Sequence, residues 1–436
     1  MKEIFPVSRE YEGHFEIPEG TTEIPINGFC GCKKLTSVSI PSSVKRIGMF
    51  AFSGCHSISD IRIPDSVTTL ETEIFRDCRS LKDIEIPRTV TCIESGVFVG
   101  CNSLTSIIIP KSVTTIDGSG QFTRCTALKS IVVEQGNPVF DSRNGCNAII
   151  ETETNTLICG IKNSIIPESV TTIGDGAFFG CFGLTNIEIP DTVTKIDQFA
   201  YSSCENLAMV VMSDSILEIG EYAFQNCSNL VHIKLSESLS IIESGVFSGC
   251  SALTSIEIPT GVTKLQMHAF WGCNSLKHVK LPDTLVNIAP YAFASCHSMP
   301  SIVIPPSVKE ISFYAFGECE NLCIPEIPDT VKVASTAFNG CGISEDSKEA
   351  VPLETSNDKF STSDIRRIDN LPIDEYNTVI ENMTEDEREE YFSKSSLCGE
   401  PMHPIVVDSI EDELEGCIEA SEFLDQMKKK YGIGKS

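Results

Sequence analysis

Twenty cysteines lie among 436 residues, and a thiol is a side chain that can attack, bind a soft metal or form a disulfide once it loses its proton. Thirteen of them keep a clock: Cys32, Cys55, Cys78, Cys101, Cys125, Cys181, Cys204, Cys227, Cys250, Cys273, Cys296, Cys319 and Cys341. The interval is 23 residues, with single gaps of 24, 56 and 22. Residues at one equivalent repeat position form a column spaced by about 4.8 Å, the distance between strands. Such spacing permits bridging, but side chains in a column point in parallel. A disulfide needs converging β-carbons and a dihedral of about 90°. The column therefore reads as buried free thiols acting as small hydrophobes, not as the disulfide framework of a short secreted chain.

The remaining chemistry is thin. Cys398, His403 and Cys417 match no standard metal spacing. His232 and His278 occupy equivalent positions two repeats apart, about 10 Å, too far to share one ion. No Gly-rich phosphate loop, paired-Cys zinc motif or nucleophile elbow occurs. No catalytic residue, metal or cofactor is assigned, and the chain reads as a non-enzyme. Activity carried by the C-terminal residues is the remote alternative.

What positions these residues is a repeat. A period of 20–50 residues marks a stacked chain in which each unit buries its apolar face only against its neighbours. In residues 101–123, Leu104, Ile107 and Ile109 form an L-x-x-L-x-L pattern with a strand around its last part. Strand side chains alternate, so Ile107 and Ile109 point inward while Ser106 and Ile108 point outward. Pro110 lacks an amide hydrogen and ends strand pairing. The return half buries a second apolar set such as Val44, Ile47, Ala51 and Phe52. A phenylalanine column runs from Phe29 to Phe338, with Tyr201 substituting once. The fold class is a leucine-rich-repeat solenoid of about 13 turns, with parallel strands on one face.

Paired motifs such as Ile40-Pro41-Ser42-Ser43-Val44 with Ala51-Phe52-Ser53-Gly54-Cys55, and Ile166-Pro167-Glu168-Ser169-Val170 with Ala177-Phe178-Phe179-Gly180-Cys181, carry a family resemblance. Residues 15–341 resemble the BspA-like leucine-rich-repeat family. The resemblance implies a solenoid that binds proteins. It also implies an alternative reading as a surface adhesin for host proteins, as in some members from mouth and gut bacteria and from protists.

The net charge of −28 opposes a nucleic-acid partner, which requires lysines and arginines on phosphates, and a basic membrane patch. No run approaches the roughly 18 apolar residues of a membrane span. Residues 1–20 hold no apolar stretch of signal-peptide length, so the expected location is cytoplasmic, with the cell surface as the alternative. Residues 1–14 are the expected front cap and 15–343 the solenoid. The 56-residue gap holds a hairpin insertion at 134–166, a hairpin or small meander expected to lean on the strand face. A polar linker follows at 344–363, then an acidic helical tail at 364–436 with capping-box patterns at Thr384/Glu387 and Ser409/Asp412. From Ser344 onward, 24 acidic and 10 basic residues give the tail half of the net charge.

The outward strand positions form the candidate partner-binding surface, because they change from repeat to repeat while the framework does not. They include Arg62, Glu85, Ile108, Val132, Met209, Val211, His232, Lys234, Glu257, His278 and Lys280. Ile108 and Val132 make an apolar step before the insertion, with Met209 and Val211 past it. His232, Lys234, His278 and Lys280 make a basic patch in which Glu257 is placed to neutralise both lysines as a cross-strand ladder. The expected partner is a protein. The leading function is a non-catalytic interaction scaffold that uses the strand face and the insertion.

Overall fold

The structure is a computed structural model that describes residues 5–118 and 120–342. The linker and tail expected at 344–436 lie outside the described residues. Within them the chain winds as a parallel-strand solenoid of about 14 turns. Each turn contributes to two rows of strands. The first row holds the L-x-x-L-x-L segments, such as Leu35–Ser39, Ser106–Ile109, Ser130–Val133 and Met209–Val211. Neighbours pair parallel one repeat apart, with Ile107 opposite Ile131 and Ile256 opposite Val279. The second row consists of two-residue strands such as Arg46–Ile47, Thr172–Ile173 and Lys264–Leu265, also in one-repeat register. Period-2 alternation is too short to announce such strands, since one inward residue per strand leaves no pattern to read.

The framework columns are core. Phe52, Phe75, Phe98, Phe224, Phe247 and Phe270 are fully buried, and successive rings stack nearly parallel with centroids from 5.0 to 6.2 Å apart. Offset-stacked rings add to the area they bury. At the front, Phe5 and Phe15 meet Phe29 edge-on at 5.4 and 5.1 Å, and Tyr11 packs edge-on against Phe15 at 5.2 Å. Gly13–Glu16 then pairs with Leu35–Ser39, so parallel pairing begins two residues before the expected boundary at 15.

All thirteen column cysteines are free; twelve are buried and Cys181 is half-buried. The structure shows why a thiol recurs where alanine would also fit. Cys55 Sγ donates to the Phe29 carbonyl at 3.1 Å, and the Cys32 amide donates to the same oxygen at 3.1 Å. Cys78 repeats this on Phe52, Cys250 on Phe224 and Cys319 on Phe293. Both lone pairs of each buried carbonyl are thereby engaged, one from within its turn and one from the next.

The insertion departs from expectation. Phe140–Asp141, Ala148–Glu151 and Thr156–Gly160 form an antiparallel meander. Its last strand pairs parallel with Thr172–Ile173, with Leu157 opposite Ile173. The meander therefore pairs into the second row, and it touches the first row only at its edge, where Ser142 accepts from the Val133 amide at 3.0 Å. Its alternation buries both faces: Ala148, Ile150 and Leu157 pack into the core that follows, whereas Phe140, Ile149, Cys159 and Ile161 pack into the core that precedes. A strand apolar on both sides must be sandwiched, and lying on the strand face would have left one side in water.

Candidate interaction face

Each outward side chain is set by its inward neighbours. Ile107 and Ile109 are buried, so Ile108 stands out between them, and Val132 stands between Ile131 and Val133 in the same way. Their registers place Ile108 opposite Val132, Asn186 opposite Met209, Glu188 opposite Val211, Met209 opposite His232, Ser255 opposite His278 and Glu257 opposite Lys280. Arg62, Glu85, His232, Lys234, Glu257, His278 and Lys280 are all exposed. Glu85 projects from a segment without regular strand pairing, and Arg62 directly follows the strand Asp60–Ile61.

The face divides by chemistry. In the later turns Lys280 pairs with Glu257, and Lys234 reaches Asp214 at 3.8 Å. Glu257 thus serves one lysine, not both as expected, because it lies opposite Lys280 in register while Asp214 lies beside Lys234. Pairing with Glu257 raises the Lys280 pKa. In the earlier turns the apolar step stays open. Ile108 is 60% exposed and Val132 44%, since the insertion joins the other row.

Ile165, which falls inside the 134–166 insertion, is 72% exposed. Ile165-Ile166-Pro167 repeats Ile108-Ile109-Pro110, a signal that could have placed it in the same outward row. Its amide donates to the Cys146 carbonyl at 3.0 Å, so the loop around Cys146 lies beside it. Beyond Glu188 the apolar character resumes at Met209, Val211 and Val231, each about half-exposed.

A second feature missing from the sequence reading is the joint at the insertion. The Thr123 hydroxyl donates to the Phe179 carbonyl at 2.9 Å, and the Arg124 amide donates to Gly180 at 3.3 Å. The Arg124 guanidinium lies 5.6 Å from the centre of the Phe182 ring. Lys162 donates to the Thr126 carbonyl, and Asn163 to Lys129 at 2.9 Å. Segment 161–166 therefore borders the strand that carries Val132.

The thiols offer little reactivity. Burial pushes Cys32 up to about 11, with Arg9 opposing, and pushes Cys181 and Cys250 up to about 12. Deeper members such as Cys78 and Cys204 are raised further for the same reason. Among the described residues no group of three or more His, Cys, Asp or Glu is arranged to hold a metal ion, and no helix is long and apolar enough to cross a membrane.

Stacked parallel turns with a constant core and a varied strand face define a leucine-rich-repeat solenoid, a class built as a repeat scaffold. The chain belongs to the BspA type leucine rich repeat region family, which matches residues 11–138, 150–277 and 241–366 in six copies. A leucine-rich repeat protein from Eubacterium ventriosum shares the fold at 24% identity and TM-score 0.61, over 78% of this chain and 85% of that one. A leucine rich cell surface protein from Faecalibacterium prausnitzii is 31% identical over 66% of this chain and 77% of its own, with TM-score 0.48. A Bacteroides ovatus leucine-rich repeat protein is 29% identical over 75% and 84%, with TM-score 0.49. No curated protein matches the chain.

Proposed function

We propose that the protein is a non-catalytic interaction scaffold that binds a protein partner through the outward residues of its first strand row. The observation that carries this reading is the contrast between positions on one strand. Ile107 and Ile109 are closed in the core, while their outward neighbour changes from Arg62 to Glu85 to Ile108 to Val132 over successive turns. A fixed framework with one varied, exposed face lets a solenoid encode a partner without altering its fold. The test is amide-exchange footprinting of the full chain with a captured partner. Protection is expected on the first-row segments between Ser106 and Lys280. Protection confined to the second row or the outer bends would overturn it.

A second reading is display at the cell surface as an adhesin, which the membership of the BspA type leucine rich repeat region family supports. Fractionation of the native cell separates the two. Recovery in the surface fraction supports display, and recovery only in the cytosol removes it.

A further inference from the structure

Resting on the strand-face reading, we infer that the contact is centred on the apolar step at Ile108 and Val132 and that it receives an acidic polypeptide segment carrying apolar side chains. The two residues are direct cross-strand neighbours and both are open to solvent. The lysines that rim them form no ion pair among the described residues, and Asp83 and Glu85 are the open carboxylates of the preceding turn. Lys82, Thr105 and Lys129 are consecutive along one side of the step, joined by the Thr105 amide donating to Lys82 at 3.1 Å and the Lys129 amide donating to Thr105 at 2.9 Å.

Lys111 stands on the other side, just past Pro110. The nearby carboxylate of Glu134 is already used, accepting from Arg88 at 3.0 Å and from the Lys111 backbone amide at 3.0 Å. Lys82, Lys111 and Lys129 are exposed, and none forms an ion pair among the described residues. By contrast Arg46, Arg76, Lys195, Lys234, Lys280 and Lys332 each meet a carboxylate. On a chain of net charge −28, the three lysines without an ion partner outnumber the two open carboxylates beside the step, Asp83 and Glu85, and this local excess of ammonium groups around apolar side chains is complementary to carboxylates beside aliphatic side chains. Ile165, exposed and equivalent in sequence to Ile108, adds one more apolar side chain in the interrupted turn before Glu188 breaks the row.

The test uses the full chain and a capped peptide of about ten alternating valines and glutamates, long enough to cross the step when extended. A valine–lysine peptide is the control. Saturable binding of the acidic peptide alone is expected, weakening as salt screens the lysines. Two paired variants, Ile108→Ser with Val132→Ser and Lys82→Glu with Lys129→Glu, should each weaken it about tenfold or more. Lys234→Glu with Lys280→Glu is the comparison at the later turns, and its effect should be smaller than that of either patch variant.

Several results would overturn the assignment: no saturable binding up to about 1 mM, equal binding of the basic peptide, or indifference to both patch variants. Loss of binding only in the Lys234/Lys280 variant would also overturn it, while leaving the strand-face reading intact at the later turns. A wild-type dimer in sedimentation that Ile108→Ser with Val132→Ser dissolves would instead assign the step to a second copy. Circular dichroism of each variant confirms that the fold is retained.

Discussion

At the scale of single residues the columns make sharp demands. Tyr201 replaces phenylalanine in the core stack, lying 5.0 Å from Phe178 and 5.2 Å from Phe224, and its buried hydroxyl has no hydrogen-bond partner. Burying an unmet hydroxyl costs about 1–3 kcal/mol, so Tyr201→Phe should raise stability by about 1 kcal/mol in urea unfolding. An unchanged or lower midpoint would show that the hydroxyl is satisfied. Phe247→Ala should remove about 3–5 kcal/mol, because that ring is fully buried between Phe224 and Phe270.

Thiol labelling reads the cysteine column directly. In the native protein exposed Cys323 should react fastest and half-buried Cys92 and Cys181, whose thiol pKa values burial raises, far more slowly, while the twelve buried column thiols wait for denaturant. His268 gives a pH signature. It stacks on Tyr291 at 5.2 Å, and burial lowers its pKa to about 4. An unfolded histidine titrates near 6.5, so between those values the unfolded chain binds more protons. The contribution of the neutral ring is complete above about pH 6.5 and is lost as the pH falls toward 4. Urea titrations at pH 7 and pH 5 should differ less in His268→Asn than in wild type, and an equal difference would remove His268 as the cause.

At the scale of elements the insertion is the decisive piece. The phenylalanine stack runs from Phe29 to Phe122 and resumes from Phe178 to Phe338. Between them Gly160 ends the last meander strand, and its amide donates to the Ala177 carbonyl at 2.8 Å. A β-carbon on Gly160 would overlap the Phe178 ring, so the strand can approach that closely only without a side chain. Gly160→Ala should destabilise by about 1–3 kcal/mol through overpacking, measured by thermal unfolding. A neutral result would mean that Phe178 has room to turn aside. The insertion was visible in the sequence as a break in period and as two β-rich runs. Its attachment to the second row was not, because Leu157 and Ile158 suit either row until Ile173 is seen opposite Leu157.

At the scale of the whole molecule the meander separates two cores. Residues from Val7 to Ile161 form one contiguous cluster and residues from Cys146 to Cys341 another, interleaved through alternate side chains of the meander. Stability in a solenoid is a sum of turn and nearest-neighbour terms, so an interruption in stacking is where cooperativity divides. Phe75→Ala should lower protection against amide exchange mainly in the turns before the insertion, and Phe270→Ala mainly in the turns after it. A uniform loss in both variants would show one cooperative unit. The acidic balance acts at the same scale: apart from the free lysines around Ile108 and Val132, many of the cations are already met by carboxylates across neighbouring turns.

The sequence by itself determined the repeat, the inward columns and the parallel register. Each turn has only one way to bury a phenylalanine, its aliphatic neighbours and a cysteine together, and the period carries that solution along the chain. It also determined which residues stand outward on the first row, since Ile107 and Ile109 fix the direction of Ile108. The tertiary structure alone decided how those outward residues are paired. From the sequence Glu257 is placed to serve both lysines, and only the packing of adjacent turns gives Lys234 a different carboxylate, Asp214, while Glu257 pairs with Lys280. It likewise decided that the insertion leaves the strand face open, because a meander with two apolar faces is stable only between two cores.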